Sequence, residues 1–375
     1  MGDGMRIEWC GPVFDGSGYG EASRNYVMAL HSLGVDVLLR PLAFDRNPPN
    51  LGQAGDFLRS LIREPMPTCD LRVIHCTPDL MPSVLKDRPM IPTIGYATWE
   101  TNKLPPGWAE AINSTCQALW VPSNHNVKAF RDSGVTVPIH RVPHCFADLP
   151  VPEKATLERD GRFRFLNVGQ WLTRKNQLGL LMAYLTEFKA EEKVSLVLKT
   201  FTETHSPGER DQIKGFIQEI KRQLHLSSYP QVELIVANLS KDEMTRLNHD
   251  CDCIVSLHRC EGFGITIAEG MLAGKPVIVT ENAGTDDFTG NCSSCWSVHS
   301  QPAVVFGMPW STYTGDMVWR DPDLCGAKAA MRDVFSRRGI NTGDAGRRKI
   351  LDELSFHAVG SQMKGLMEAM CASST

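Results

Sequence analysis

Apolar runs and helical spacings alternate along nearly the whole chain. Short runs rich in β-branched and aromatic residues predict strands at 5–10, 35–41, 71–76, 91–96, 118–121 and 139–142, and again at 163–168, 194–199, 232–237, 253–257 and 276–280. Helical spacing of apolar residues separates them, for example at 20–33 and 123–132. Strands that alternate with helices predict parallel sheets with helices on both faces.

Helix starts are marked clearly in the second half. Ser206 with Glu209 predicts a capping box that also carries a proline at the first helical position, and Ser240 with Glu243 predicts another. The Asp-Pro pair at 321–322 predicts the start of a helix that runs to 339. Between 148 and 160 the chain becomes polar and loses its periodicity, which indicates a linker.

The length of the chain and its pattern of strands and helices indicate how many domains it has and of which type. A chain of 375 residues exceeds the size of one ordinary hydrophobic core, so about two domains are expected. The pattern predicts two doubly wound α/β domains of similar size, with a ligand at the carboxyl ends of the strands and in the cleft between them. We divide the chain into domain 1–148, linker 149–160, domain 161–350 and a C-terminal helix at 351–375 that is expected to pack back on the first domain.

Composition excludes several functions. No apolar run is long enough for a membrane span, and the amino-terminal residues lack a signal-peptide core, so the cytoplasm is the expected compartment. A net charge of −4 gives no sign of stable nucleic-acid or membrane binding. The 12 cysteines lack paired zinc knuckles; free thiols are expected, although 292–295 and its neighbours leave a zinc site as the alternative.

The strongest candidate for chemistry is the segment 261–269. It combines a glycine turn with two carboxylates, Glu261 and Glu269, between a predicted strand and a predicted helix. The first backbone N–H groups of a helix have no intrahelical partner and favour phosphate. The segment therefore predicts a site for a phosphorylated ligand, and an ordinary strand-to-helix turn is the alternative for the turn taken alone.

Other candidates fall at further strand ends. Gly18, Tyr19 and Gly20 end a glycine loop that opens a helix, although its glycines do not have dinucleotide-binding spacing. Arg174 and Lys175 follow another strand and suit a diphosphate, one as a planar fork and one as a point charge. A solvated helix start is the alternative. Lys199, at the end of another strand, is a further donor-binding candidate with the same ambiguity.

Taken together, these motifs resemble a known family: the retaining nucleotide-sugar glycosyltransferases of the GT-B fold, family 4, also called glycosyl transferases group 1. Glu261 through Glu269 matches the family's two-glutamate motif, and 169–176 is similar to its glycine strand end with a Lys-bearing loop. The segments 120–123, 142–144 and 319–323 fall in the family's order. The resemblance implies two Rossmann-like domains that face each other across a cleft, the first on the acceptor side and the second binding the nucleotide sugar.

The resemblance also implies roles. Glu261 contacts donor sugar hydroxyls, Glu269 binds the ribose, and Arg174 with Lys175 neutralises the leaving diphosphate without a metal ion. The remaining implied donor contacts are the backbone amides of Phe263, Gly264 and Ile265, the base-contacting loop at Leu239, and Gly18, Tyr19 and Gly20 of the other domain.

Two positions depart from the family pattern. Gln170 stands where the family often has Arg, which leaves Arg174 as the replacement phosphate ligand. Glu100 occupies the loop where some relatives place a histidine near the acceptor; we expect it on the acceptor side, and pairing within its own loop is the alternative. His75 and His144 are interpreted as structural.

The function implied is metal-independent transfer of a hexosyl group from a nucleotide diphosphate sugar to an acceptor hydroxyl, with retention of anomeric configuration and without a cofactor. A sugar-nucleotide epimerase and a sugar phosphorylase share the two-domain architecture and are the alternatives. The sugar, the base and the acceptor stay open; acceptors in such enzymes include saccharides, lipid carriers, small molecules, proteins and modified nucleobases.

Overall fold

The structure, a computed structural model, describes residues 5–43, 51–86, 88–148, 150–153, 157–158, 160–202, 208–338, 340 and 343–372. The chain divides into two compact units. The first combines Met1–Asp148 with Leu351–Thr375, and the second is Leu149–Ile350. Of the segment predicted as a linker, residues 149, 154–156 and 159 lie outside the described residues.

The first unit is built on a parallel sheet. Its strands are β1 (Arg6–Gly11), β2 (Asp36–Pro41), β3 (Leu71–His75), β4 (Thr93–Tyr96), β5 (Ala118–Val121) and β6 (Ile139–Arg141), in the order β2-β1-β3-β4-β5-β6. The helices between them are α1 (Gly18–Ser32), α2 (Gly52–Ser60), α3 (Met81–Leu85), α4 (Trp108–Thr115) and α5 (Asn124–Asp132). All five residues of β3 are buried, as expected for a parallel strand covered on both faces.

The second unit repeats this arrangement. Its parallel strands are β7 (Phe163–Gln170), β8 (Val194–Phe201), β9 (Gln231–Ile235), β10 (Cys253–Ser256), β11 (Val277–Thr280) and β12 (Cys295–Val298), in the order β12-β11-β10-β7-β8-β9. Its helices are α6 (Gln177–Glu187), α7 (Glu209–Leu224), α8 (Lys241–Asp250), α9 (Ile265–Leu272), α10 (Asp286–Thr289) and α11 (Leu324–Ser336). A separate antiparallel hairpin consists of β13 (Ser300–Val304) and β14 (Val318–Pro322).

Two helices end the chain. Helix α12 (Asp344–Leu354) contains the point where the second unit ends and the first resumes, and α13 (Phe356–Ala372) packs on α1 within the first unit. The helices approach closely at Gly360, where an added Cβ atom would lie 3.2 Å from the carbonyl oxygen of Ala29. Helix α13 also contributes to the core of this unit with Val359, Met363 and Met367. Among the described helices, none has the length and apolar composition needed to cross a bilayer.

The two predicted parallel sheets are confirmed, and every predicted strand is present within a few residues. The capping box at Ser240 and Glu243 is confirmed: the Ser240 hydroxyl accepts from the Glu243 N–H at 3.3 Å, and the Glu243 carboxylate accepts from the Ser240 N–H at 2.7 Å. Ser206 and Pro207 of the other predicted box lie outside the described residues. Within the described residues, helix α7 begins at Glu209 with Gly208 as its N-cap, whereas the prediction had Glu209 as the third residue of this helix.

The prediction of a helix start at 321–322 is wrong. Asp321 and Pro322 are the last residues of β14, and Pro322 is paired with Ser300 across the hairpin. The helix begins instead at Leu324, because the carboxylate of Asp323 caps it by accepting from the N–H groups of Cys325 at 2.9 Å and Gly326 at 3.0 Å. The sequence analysis also missed β12 and the whole hairpin.

A buried carboxylate links three strands and a loop of the first unit. Glu8 on β1 is 3% exposed and accepts hydrogen bonds from Arg72 and Arg40, each at 2.6 Å, and from Arg88 at 3.1 Å. Burial raises the pKa of Glu8, but the two closest guanidinium groups more than offset it, so the pKa lies below its usual value. The ionised form therefore stabilises the fold above the ordinary carboxylate range, and this contribution is lost as the pH falls.

Replacement of Glu8 tests this cluster. Glu8→Gln leaves the buried Arg72 without a charged partner, so we expect the free energy of unfolding to fall by about 3–5 kcal/mol at neutral pH. The difference from the wild type should shrink at about pH 4, where Glu8 begins to be protonated in the unfolded chain. Urea unfolding of the variant and the wild type at neutral pH and at about pH 4 measures this difference. The control is Asp56→Asn, which removes an exposed ion pair with Arg59. An equal loss at both pH values would contradict the electrostatic explanation.

Candidate active site

The candidate residues of the second unit gather at one edge of its sheet. Strands β7, β10 and β11 are adjacent and parallel, so the loops that follow them leave the sheet at the same edge. These loops are 171–176, 257–264 and 281–285. The structure therefore brings together the predicted basic loop and the predicted glycine turn, which lie far apart in sequence.

Glu261 is held between two cations. Its side chain is 10% exposed and forms an ion pair with the ammonium of Lys175, while Nη1 of Arg174 lies 3.6 Å from its other carboxylate oxygen. Burial raises the pKa of Glu261, but the charges of Lys175 and Arg174 outweigh burial and bring the pKa to about 2. Glu261 is therefore ionised at neutral pH, with its charge balanced locally.

His258, which was not predicted as a site residue, lies beside this cluster. Its ring is fully buried, and its Nδ1 lies 3.1 Å from the hydroxyl of Ser256. Burial lowers the pKa of His258 to about 4, and the nearby Lys175 and Arg174 add to this effect while Glu261 opposes it. The imidazole is therefore neutral at neutral pH. No single-sequence signal distinguishes it from a structural histidine.

The basic loop is a short 3-10 turn rather than a helix start. Thr173–Lys175 form the turn, and α6 begins only at Gln177. Asn176 separates them with a φ of 55°; its side-chain oxygen caps α6, and its side-chain amide donates to the Leu257 carbonyl at 2.9 Å. Because both cations precede α6, they do not lie in its first turn, where the helix dipole would oppose them.

The glycine turn ends in a backbone conformation that requires glycine. Gly264 has a φ of +95°, and a Cβ atom there would lie 2.7 Å from Cγ2 of Thr285. The Phe263 ring is 2% exposed and packs on Phe288 at 5.0 Å between ring centres. The side chain of Phe263 is therefore part of the buried interior of the second unit, and the predicted role of the amides of Phe263, Gly264 and Ile265 stays a prediction. The observed α9 begins at Ile265.

Glu269 is paired with a cation. Its side chain is 12% exposed and forms an ion pair with Lys241, the first residue of α8. Leu239, half-buried, lies two residues before Lys241 in the loop that follows β9. The ion pair with Lys241 therefore connects Glu269 to the end of the loop that was predicted to contact the base.

Lys199 is near the end of β8, the strand next to β7 on the side away from β10. Its residue is 7% exposed, and its ammonium lies 5.1 Å from the ring centre of Phe201. Burial lowers the pKa of Lys199, and the charge of Glu209 opposes this effect. Lys199 therefore lies one strand beyond β7, on the side of the sheet away from the glycine turn.

Arg259 connects the basic loop to the hairpin, and the sequence analysis missed it. Its guanidinium donates to the Thr173 carbonyl and to the Asp321 carboxylate, both at 2.7 Å, and lies over the rings of Phe306 and Trp319 at 5.2 and 5.7 Å. Its backbone N–H also donates to the Arg174 carbonyl at 2.7 Å. Arg259 therefore positions the loop that carries both cations.

The candidates of the first unit lie at the start of α1. Ser17 caps this helix by accepting from the Gly20 N–H at 3.1 Å, and Gly18 is exposed. The Tyr19 hydroxyl donates to the Thr98 carbonyl and accepts from the Thr98 N–H, each at 3.1 Å. Burial raises the pKa of Tyr19, so its hydroxyl stays protonated.

Tyr19 brings α1 next to the loop that carries Glu100. This loop, 97–102, follows β4, and the Glu100 carbonyl lies 3.0 Å from Nε2 of His125. Gly18, Tyr19, Gly20 and Glu100 therefore share the carboxyl edge of the first sheet. His75 and His144 lie in the buried interior of the same unit: His75 contacts the Ser23 hydroxyl at 2.7 Å, and His144 contacts the Tyr26 hydroxyl at 2.6 Å.

Within the described ranges, no group of three or more His, Cys, Asp or Glu side chains is arranged to hold a metal ion. All 12 cysteines are free thiols.

Part of the second unit is similar in sequence to known proteins. Residues 152–299 match the family model described as "Glycosyl transferases group 1". The alpha-1,3/1,6-mannosyltransferase ALG2 of Dictyostelium discoideum is 25% identical over 153 residues, which is 38% of this chain and 35% of that protein. The match thus spans about a third of the length of this curated relative.

Solved structures match almost the whole chain. Anabaena HepE, solved in complex with UDP and glucose, superposes with a TM-score of 0.67 at 13% identity and covers 97% of this chain and 100% of its own. Sucrose-phosphate synthase from Thermosynechococcus elongatus superposes with a TM-score of 0.70 at 13% identity and covers 98% and 100%. The chain has the GT-B fold, so the predicted fold class is confirmed. The match to the group 1 glycosyltransferase family model, residues 152–299, lies within the second unit of this fold.

Arg259→Lys tests whether the guanidinium holds the basic loop. Lysine keeps the charge but loses the fork that reaches both Thr173 and Asp321 and stacks on the two rings. We expect the free energy of unfolding to fall by about 1–3 kcal/mol in urea. Arg222→Lys, on the exposed face of α7, is the matched control and should change it by less than about 0.5 kcal/mol. Equal stability of the two variants would show that the fork contributes nothing.

Proposed function

We propose that this protein transfers a sugar from a nucleotide diphosphate sugar to an acceptor hydroxyl, without a metal ion and with retention of anomeric configuration. The group 1 glycosyltransferase domain supports the reaction class. The observation that carries the proposal is Glu261, buried between Lys175 and Arg174 beside the amino terminus of α9. A helix start and two cations together form an environment that suits a diphosphate.

The basic loop supplies what the leaving group needs. As the glycosidic bond breaks, negative charge grows on the departing diphosphate, and fixed positive charges stabilise it best when they need no rearrangement. Glu261 holds the Lys175 ammonium in place, and Arg259 holds the loop through the backbone of Thr173 and Arg174. Arg174 and Lys175 are thus the proposed substitutes for a divalent cation.

Glu261 is proposed to bind donor sugar hydroxyls as a hydrogen-bond acceptor. Its pKa of about 2 leaves no proton to give at neutral pH, and its two cationic neighbours reduce its strength as a nucleophile. Neither role of a double displacement through a carboxylate pair suits it. We therefore propose that the departing phosphate takes the acceptor proton and that the acceptor attacks from the same face.

The remaining roles follow from position. Glu269 is proposed to accept from the ribose hydroxyls in place of Lys241, with Leu239 near the base, and the amides of Phe263, Gly264 and Ile265 are proposed to face the sugar and phosphates. Gly18, Tyr19 and Gly20 of the first unit are proposed to approach the phosphates or the reacting centre, and Glu100 is proposed to serve the acceptor. The acceptor class stays open. Free thiols favour the cytoplasm as the compartment.

Donor binding gives the first test. UDP and UDP-glucose come first because the similar Anabaena HepE was solved with UDP and glucose; GDP, ADP and TDP compounds follow. A ligand at about 100 times its Kd stabilises the folded state by roughly 2.7 kcal/mol, so the melting temperature should rise both in EDTA and with magnesium. Lys175→Met should reduce the shift strongly, whereas Lys214→Met, on the surface of α7, should not. No shift with any of the nucleotides would remove the support for a nucleotide-sugar site.

Turnover gives the second test. With a donor that binds and a panel of acceptors, Glu261→Gln should lower kcat/KM by about 100-fold or more, since it removes the carboxylate that orders Lys175. Asp211→Asn, which changes an exposed carboxylate on α7, should leave kcat/KM unchanged.

NMR of the product reports its anomeric configuration, and inversion would contradict the proposed retention. Incubation with the donor alone separates the alternatives, because an epimerase would produce a new sugar nucleotide without any acceptor.

A further inference from the structure

Cys292 and Cys295 form a close thiol pair in the second unit, outside the candidate active site. They lie in a tight turn that leads into β12, where the Cys295 N–H donates to the Cys292 carbonyl at 3.0 Å. The Cys295 thiol itself donates to the sulfur of Met271 at 3.9 Å, on the helix α9 that packs beside this turn. The spacing of the pair, two residues between cysteines, is the one used by thiol–disulfide exchange sites.

The environments of the two sulfurs differ in the way such exchange requires. The neighbouring Cys295 thiol lowers the pKa of Cys292 to about 6; burial opposes this shift, while Ser294 and the ammonium of Lys349 on α12 act with it. The neighbouring Cys292 thiol and burial raise the pKa of Cys295, with a smaller contribution from Cys253 on β10. Both residues are half-buried, and these shifts favour a thiolate at Cys292 and a protonated thiol at Cys295 at neutral pH.

The turn is fixed on several sides. The carbonyl of Ser294 accepts from the Val277 N–H at 2.9 Å, and the hydroxyl of Ser294 accepts from the Gly346 N–H at 3.1 Å near the start of α12. Lys349 is anchored to the Gly290 carbonyl at 3.3 Å. Because these contacts do not depend on either sulfur, the turn can hold the two thiols together in both redox states.

We propose that Cys292 and Cys295 are a redox-active dithiol that reacts with low-molecular-weight disulfides and closes to an intramolecular disulfide. The Cys292 thiolate attacks one sulfur of the disulfide, which forms a mixed disulfide and releases one thiolate. Cys295 then loses its proton and attacks the Cys292 sulfur, which closes the protein disulfide and releases the second thiolate. Two cysteine sulfurs are oxidised and the two sulfurs of the small disulfide are reduced.

The pair is separate from the glycosyltransferase site. Cys295 is the first residue of β12, so it lies at the amino edge of the parallel sheet, whereas Glu261 lies at the carboxyl edge. Neither cysteine has a role in the proposed transfer. The inference therefore stands or fails independently of the proposed function.

Oxidised glutathione is the probe for the exchange. Folded protein is equilibrated in glutathione buffers of increasing oxidation, quenched with acid, alkylated and analysed by mass spectrometry. We expect a species lighter by two hydrogens, with the bond mapped between Cys292 and Cys295. Cys295→Ala should stop at a mixed disulfide on Cys292 that dithiothreitol reverses, and Cys292→Ala should not form the disulfide. Full alkylation of both thiols in excess oxidised glutathione would overturn the proposal.

The reactivity of Cys292 gives a second measurement that does not require a variant. The rate of alkylation by iodoacetamide is followed against pH in the folded protein and in guanidinium. The midpoint for Cys292 should lie near pH 6 when folded and near the ordinary thiol value of about 8.5 when unfolded. Since a midpoint does not depend on how exposed the sulfur is, equal midpoints in the two states would also overturn the proposal.

Discussion

The candidate active site of the second unit depends on one buried electrostatic interaction, that of the Glu261 carboxylate with Lys175 and Arg174 on either side of it. A buried carboxylate is costly unless it is paired, and two adjacent cations at a loop repel each other unless an anion lies between them. Each group therefore fixes the others, and the result is a preformed cluster of positive charge at the carboxyl edge of the sheet. The 3-10 turn, the αL conformation of Asn176 and the fork of Arg259 all serve to keep that cluster in place.

The sequence predicts those features that arise from local pattern. Parallel strands are visible as continuous apolar runs, the Ser240 capping box is visible from its two residues, and the glycine turn at 262–264 is visible from its position between a strand and a helix. The Asp-Pro pair at 321–322 misled the prediction because a strand end followed by a capping Asp323 has the same local composition as a helix start. The hairpin was missed because its strands carry exposed residues and a proline instead of a β-branched run.

What the sequence cannot predict are partners brought together by the fold. Arg259 meets Thr173 and Asp321, which lie 86 and 62 positions away along the chain, and no spacing rule connects them. Likewise, the family resemblance supplied a role for Glu269 but not its pairing with Lys241, 28 positions before it. The Cys292–Cys295 pair has a recognisable spacing, yet its asymmetry comes from the interaction of the two thiols in the turn, from the burial of Cys295, and from Ser294 and Lys349, which only the folded unit brings together.

The first unit is built from two segments of the chain that are separated by the second unit, and this determines the order in which the two units can fold. Its core is completed by Val359, Met363 and Met367 of α13, which pack with residues such as Trp9 and Tyr26 from near the other end of the chain. During synthesis the ribosome produces the entire second unit before these three side chains exist. The second unit can thus reach its native contacts while the first still has an uncovered apolar face along α1. The contact between α13 and the rest of the first unit joins distant chain segments, so it forms late and at a high cost in chain entropy. Folding of the first unit should therefore depend more on chaperones and on an intact C-terminus than folding of the second unit.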